Sequence, residues 1–128
     1  MYKQTIAIVE DEALIAEIVS NYLKKEGYEV VIFNSAEEAW ENLRHIRSSL
    51  LLCDVNLPGE TGFQFAEKYR KLYPDSIIIF LTGNSTIEEK LTGFRAGADD
   101  YITKPFIVEE LLARVKAHLR KSKLLTEE

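Results

Sequence analysis

Two stretches constrain the fold most: Leu50-Leu51-Leu52-Cys53 and Ile77-Ile78-Ile79-Phe80-Leu81. Each is apolar at every position and too short for a helix of ordinary length. A strand that is apolar on every residue is covered on both faces, as strands of parallel sheets are. Three weaker runs, Thr5–Val9, Tyr28–Phe33 and Tyr101–Thr103, complete a predicted set of five strands.

The intervening segments carry helical period. Leu14, Ile18 and Tyr22 recur at one spacing, as do Ile15, Val19 and Leu23, and Gly27 follows where a left-handed residue ends a helix. Ser35 with Glu38, Thr61 with Gln64, and Thr86 with Glu89 have the spacing of capping boxes. Tyr73-Pro74-Asp75 stops the third helix and Gly97 the fourth. A fifth is predicted from about Val108 to about Arg120, with Leu111, Leu112, Val115 and Leu119 inward. Its last turn is basic, which suits the negative end of the helix dipole.

Strand and helix therefore alternate five times. That predicts an α/β three-layer sandwich: a five-stranded parallel sheet with right-handed crossovers and helices on both faces. The 128 residues fit one domain, residues 1–120. Residues 121–128 (KSKLLTEE) read as a tail or the start of a linker to an output domain outside this sequence. A net charge of -5 opposes direct binding to nucleic-acid phosphates. One cysteine, Cys53, excludes an intramolecular disulfide and points to the cytoplasm. No run approaches the roughly 20 apolar residues of a membrane span. The apolar run near the N-terminus is too short for a signal peptide and is followed by acids.

Open parallel sheets bind ligands beyond the carboxyl ends of their strands. Glu10-Asp11-Glu12 follows the first strand, Asp54 the third, Thr82-Gly83 the fourth and Lys104-Pro105 the fifth. The second strand ends in the uncharged Phe33-Asn34 and belongs at the rim. Clustered carboxylates repel one another unless a cation intervenes. A hard ion such as Mg²⁺ accepts one or two carboxylates together with waters and a phosphate. With a lysine and a hydroxyl added, this inventory holds a phosphoryl group beside a carboxylate, which can itself be the nucleophile.

Four stretches, in order, resemble the receiver domains of bacterial two-component response regulators, the CheY-like fold. They are Ile8-Val9-Glu10-Asp11-Glu12, Asp54-Val55-Asn56-Leu57-Pro58-Gly59, Leu81-Thr82-Gly83, and the run from Gly97 to Phe106. The resemblance covers about Lys3 to Arg120 and implies strand order 2-1-3-4-5. It implies that Asp54 accepts the phosphoryl group from a sensor histidine kinase. It further implies that Asp11, Asp54 and the Asn56 backbone carbonyl hold Mg²⁺, with Glu10 acting through water. Thr82 and Lys104 would contact the phosphoryl oxygens, Thr82 and Tyr101 would form the switch, and the Lys104-Pro105 bond would be cis. Glu10 stands where aspartate is commoner in that family.

Lys90, Asp99, Asp100, Glu110, Arg114 and Lys116 by themselves read as a solvated face. Their pattern is similar to the dimer interface of receivers from OmpR-like winged-helix transcription regulators. There Lys90 would pair with Glu110, Asp100 with Arg114, and Asp99 with Lys116 of a second copy, around Ile87, Phe94 and Leu112. The expectation is a homodimer on phosphorylation and DNA contact only through an output domain. Cys53 and Trp40 read as core packing, and His45 and His118 as isolated exposed residues. A stand-alone receiver is the alternative within the class. A flavodoxin-type carrier conflicts with the acidic first loop. A Mg²⁺-dependent phosphohydrolase would want Asp-x-Asp after the first strand and a cap domain.

Overall fold

The computed structural model describes residues 3–83 and 86–126, with side chains described as far as Lys121. Its elements run β1 (Thr5–Val9), α1 (Ala13–Lys25), β2 (Glu29–Phe33), α2 (Ala36–Leu43), β3 (Leu50–Asp54), α3 (Gly62–Leu72), β4 (Ile77–Thr82), α4 (Ile87–Arg95), β5 (Asp100–Thr103) and α5 (Val108–Thr126). All strand pairs are parallel, in the order β2-β1-β3-β4-β5. The α/β three-layer prediction and the strand order hold.

Alternation along the strands divides the core in two. Ile6, Ile8, Leu50, Leu52, Ile77, Ile79 and Leu81 pack against Ala16, Val19 and Leu23 of α1 and Leu111, Val115 and Leu119 of α5. Ala7, Val9, Leu51, Cys53, Ile78 and Phe80 pack against α2 and α3 through Ala36, Ala39, Leu43, Phe65, Ala66 and Tyr69. Trp40 packs against this second cluster and meets Phe65 edge-on. β3 and β4 are buried along their whole length, as their apolar runs require.

Two helices end in the same device. Gly27 (φ 95°) and Gly97 (φ 105°) take the left-handed conformation one residue past the caps of α1 and α4. Gly27 and Tyr28 donate to the carbonyls of Lys24 and Leu23, and Gly97 and Ala98 to those of Phe94 and Gly93. These paired bonds satisfy carbonyls the helix leaves open. At the N-termini Ser35, Thr61 and Thr86 accept from the backbone N–H three residues on, and Thr61 with Gln64 forms a complete capping box.

Several boundaries differ from expectation. Asp54 and Thr82 are the last residues of β3 and β4 and not the first loop residues, because their backbones still lie in the ladder opposite Leu81 and Thr103. α5 continues past Arg120 to Thr126 because no glycine or proline interrupts Lys121–Thr126. Of the two stripes on α1, that of Val19 and Leu23 faces the core, whereas Leu14, Ile18 and Tyr22 are exposed. Glu127 and Glu128 of the predicted tail lie outside the described residues.

Candidate phosphoacceptor site

The sheet register sets the site. Val9 is opposite Cys53, so Glu10 and Asp54 leave adjacent strands side by side. Thr82 and Thr103 are opposite each other, and Lys104 N–H donates to the Thr82 carbonyl at 2.7 Å, which fixes where the lysine leaves β5. The Lys104-Pro105 peptide is cis, as the family resemblance implied. α3 presses on the same point: Gly62 N–H donates to the Val55 carbonyl, and a Cβ on Gly62 would stand 2.2 Å from the Asp54 carbonyl oxygen.

Lys104 Nζ lies 2.9 Å from Asp54 Oδ2, 2.7 Å from Glu10 Oε1 and 3.6 Å from Glu12 Oε1. Asn56 N–H donates to Asp54 Oδ1 at 2.9 Å, and Glu12 N–H to Glu10 Oε2 at 3.2 Å. Glu10 and Asp54 are both buried, at 0% and 4% exposure. Such burial of carboxylates is costly unless they are paired. One ammonium serves three carboxylates, so negative charge stays in excess.

The electrostatics record that excess. Burial, together with the neighbouring Asp54, pushes the Glu10 carboxyl up to about 7 even though Lys104 opposes the shift. Burial alone would lower the Lys104 ammonium, but its hydrogen bonds to Glu10 and Asp54 outweigh this and raise it. Lys104 therefore stays charged. The Cys53 thiol is raised by full burial and by Asp54, so it stays protonated beside the acids.

The structure brings together Glu10, Asp54 and Lys104, and it adds Glu12, which the sequence reading named only as part of an acidic run. Carboxylate oxygens of Glu10, Glu12 and Asp54 lie within 4.8 Å of one another. This oxygen-only donor set with excess negative charge fits a hard divalent cation. Asp11 is exposed and stands outside that group of three. Asn56 is placed by its bond to Asp54.

Thr82 is fully buried, and its hydroxyl donates to Glu89 Oε1 at 2.9 Å. Glu89 was legible only as the third residue of a capping box. The Tyr101 hydroxyl donates to the Glu89 carbonyl at 2.9 Å, and its ring packs between Phe80 and Phe94. Burial and the Glu89 charge push the Tyr101 phenol up to about 12.

On the neighbouring face Ile87, Leu91 and Phe94 are exposed, whereas Leu112 is partly buried against the core. Lys90 and Glu110 are exposed. Asp100 is held within the chain by Arg114 at 2.9 Å and His118 at 3.1 Å. Asp99 is held by Arg70 at 2.8 Å, and Lys116 pairs with Glu26. His118 is thus neither isolated nor fully exposed, because one turn of α5 beyond Arg114 carries it over the same carboxylate.

Residues 6–116 match the family model described as response regulator receiver domain. The chain is 42% identical over 128 residues to the uncharacterized transcriptional regulatory protein YkoG of Bacillus subtilis, covering 100% of this chain and 56% of that protein. It spans about half the length of the curated relatives it matches. A CheY-like receiver domain protein from Methanospirillum hungatei superimposes with TM-score 0.91 at 34% identity, covering 95% of this chain and 98% of the other. DrrB, an OmpR/PhoB homologue from Thermotoga maritima, gives TM-score 0.88 at 37% identity, covering 94% of this chain and 54% of the other.

Proposed function

The chain belongs to the response-regulator receiver domain family, and on that premise we propose that it is a phosphorylation switch with Asp54 as phosphoacceptor. The observation that carries this reading is the Asp54–Lys104 contact at 2.9 Å on a buried carboxylate at the sheet's carboxyl edge. A sensor histidine kinase supplies phosphohistidine, or acetyl phosphate serves in its place. A carboxylate oxygen of Asp54 attacks phosphorus in line. The bond from phosphorus to the donor's nitrogen or acyl oxygen breaks, and that atom keeps the electron pair. Lys104, already at the Asp54 oxygen, offsets charge on the transferring oxygens. The chain promotes its own phosphorylation and dephosphorylation and is not a turnover enzyme.

Asp11, Asp54 and the Asn56 carbonyl would hold Mg²⁺, with Glu10 acting through water. The clustered carboxylates of Glu10, Glu12 and Asp54 and the charge excess around Glu10 support a divalent cation at this edge, and the assignment of Asp11 and the Asn56 carbonyl to it rests on the family resemblance. When bound, the ion neutralises carboxylate repulsion and charge on the phosphoryl oxygens. Thr82 then turns its hydroxyl toward the phosphoryl group and Tyr101 repositions, remodelling the face of α4, β5 and α5.

That face supports homodimerisation. Ile87, Leu91 and Phe94 offer exposed apolar area on α4, and Lys90, Glu110, Arg114, Asp99, Asp100 and Lys116 lie on α4, β5 and α5 or their junctions. Pairing across a two-fold axis would exchange the internal Asp100–Arg114 and Lys116–Glu26 partners for those of a second copy. YkoG is described as a transcriptional regulatory protein, and the match spans about half of it, which supports a DNA-binding output carried outside this sequence.

Two measurements test the reading. Acetyl phosphate with Mg²⁺ should label the wild-type chain and leave Asp54→Asn unlabelled, and equal labelling of both would refute the assignment. Sedimentation with Mg²⁺ and beryllofluoride should show dimers, and only monomer at high concentration would count against the interface.

A further inference from the structure

The Thr82 hydroxyl can donate one hydrogen bond, and Glu89 Oε1 accepts it at 2.9 Å. A phosphoryl oxygen on Asp54 needs the same proton, so the two bonds exclude each other. Glu89 also ties down the second switch residue, since its backbone carbonyl accepts from the Tyr101 hydroxyl at 2.9 Å. Gly93, one turn further along α4, leaves the space that hydroxyl occupies: a Cβ there would lie 1.3 Å from it. The first turn of α4 is thus fastened to both Thr82 and Tyr101 through one residue.

The fastening has a cost. Glu89 Oε2 is buried and has no hydrogen-bond partner among the described residues. A buried carboxylate oxygen left unpaired is unfavourable. Glu89 N–H is meanwhile committed to the helix cap on Thr86. The side chain that could have completed that cap reaches the switch hydroxyl, so helix start and switch are coupled.

We infer that Glu89 is a positioning residue: it holds the Thr82 hydroxyl in the unphosphorylated chain and competes with an Asp54-bound phosphoryl group for that hydroxyl's proton. This rests on the reading of Asp54 and Thr82 given above. Glu89 sets how far the equilibrium lies toward the resting state before any phosphoryl group arrives, and phosphorylation wins by offering a more highly charged acceptor.

The test is a titration of the whole chain with beryllofluoride in the presence of Mg²⁺, followed by fluorine NMR. Glu89→Ala should bind about fivefold tighter than wild type, the equivalent of one net hydrogen bond. Glu89→Gln keeps a carbonyl acceptor without the charge and should fall between them, and it carries the test if Glu89→Ala does not fold. In a Thr82→Ala background the Glu89 substitutions should change affinity little. Tightening of equal size with and without the Thr82 hydroxyl would overturn the inference, because the effect would then be general charge relief. So would unaltered affinity in both Glu89 variants when wild type binds. Failure of wild type to bind beryllofluoride would instead overturn the Asp54 reading itself, and this inference with it.

Discussion

Single residues differ most in how their charge is housed. Lys104 stays charged because two buried carboxylates outweigh its desolvation, while Glu10 is raised because burial and Asp54 outweigh one shared lysine. Asp100 shows the opposite balance to Glu10. Burial raises its pKa, but hydrogen bonds from His118, the Tyr101 N–H and Arg114 together hold it below the usual carboxylate value. A depressed folded-state pKa adds stability above the unfolded value of 3.8 that is lost as pH falls through the lower folded value. Asp100→Asn should therefore narrow the stability gap to wild type as pH falls through that range, read by urea denaturation. A gap that stays constant with pH would show that the carboxylate's charge contributes nothing. The sequence reading paired Asp100 with Arg114 of a second copy, whereas the structure closes that pair within the chain and adds His118, which was read as isolated.

Among the elements, α3 and α4 are held very differently. α3 buries Phe65, Ala66 and Tyr69 and starts with a complete capping box. Its first residue, Gly62, sits against the Asp54 carbonyl with no space for a Cβ. Gly62→Ala should push the helix from the phosphoacceptor strand and cost about 1–3 kcal/mol, as overpacking does. Chemical denaturation measures the loss, and slowed acetyl phosphate labelling should accompany it. An unchanged midpoint would mean that the strand yields freely. α4, in contrast, buries only Gly93 and exposes Ile87, Leu91 and Phe94. An element with so few buried apolar contacts can shift at low cost. Ile87, Leu91 and Phe94 recur at helical spacing and so mark one apolar stripe. The stripe alone did not say that it faces outward, because periodicity reports that a face is apolar and not what covers it.

For the molecule as a whole, the acidic balance has a local part. Glu10, Glu12 and Asp54 face one lysine, so an added divalent cation should stabilise the fold by mass action. At about one hundred times its Kd, Mg²⁺ should add ~2.7 kcal/mol relative to a chelated sample. Thermal denaturation with and without Mg²⁺ reads this, and Asp54→Ala should blunt the shift. An equal shift in that variant would place the ion elsewhere. Among the described residues no helix is long and apolar enough to cross a membrane. The strand and helix order, the parallel sheet and the edge carrying Asp54, Thr82 and Lys104 were determined by the sequence alone. They follow from apolar run length, helical period and capping chemistry, which are local and survive without knowledge of the partners. Tertiary structure decided the rest. Glu10 and Lys104 are separated by 94 positions yet bonded at 2.7 Å, and Glu12 joins them while Asp11 stays outside the group. The Thr82 hydroxyl donates its hydrogen bond to Glu89. Which acceptor a proton or an ammonium chooses depends on distance and burial in space, and those quantities exist only once the strands have been brought side by side.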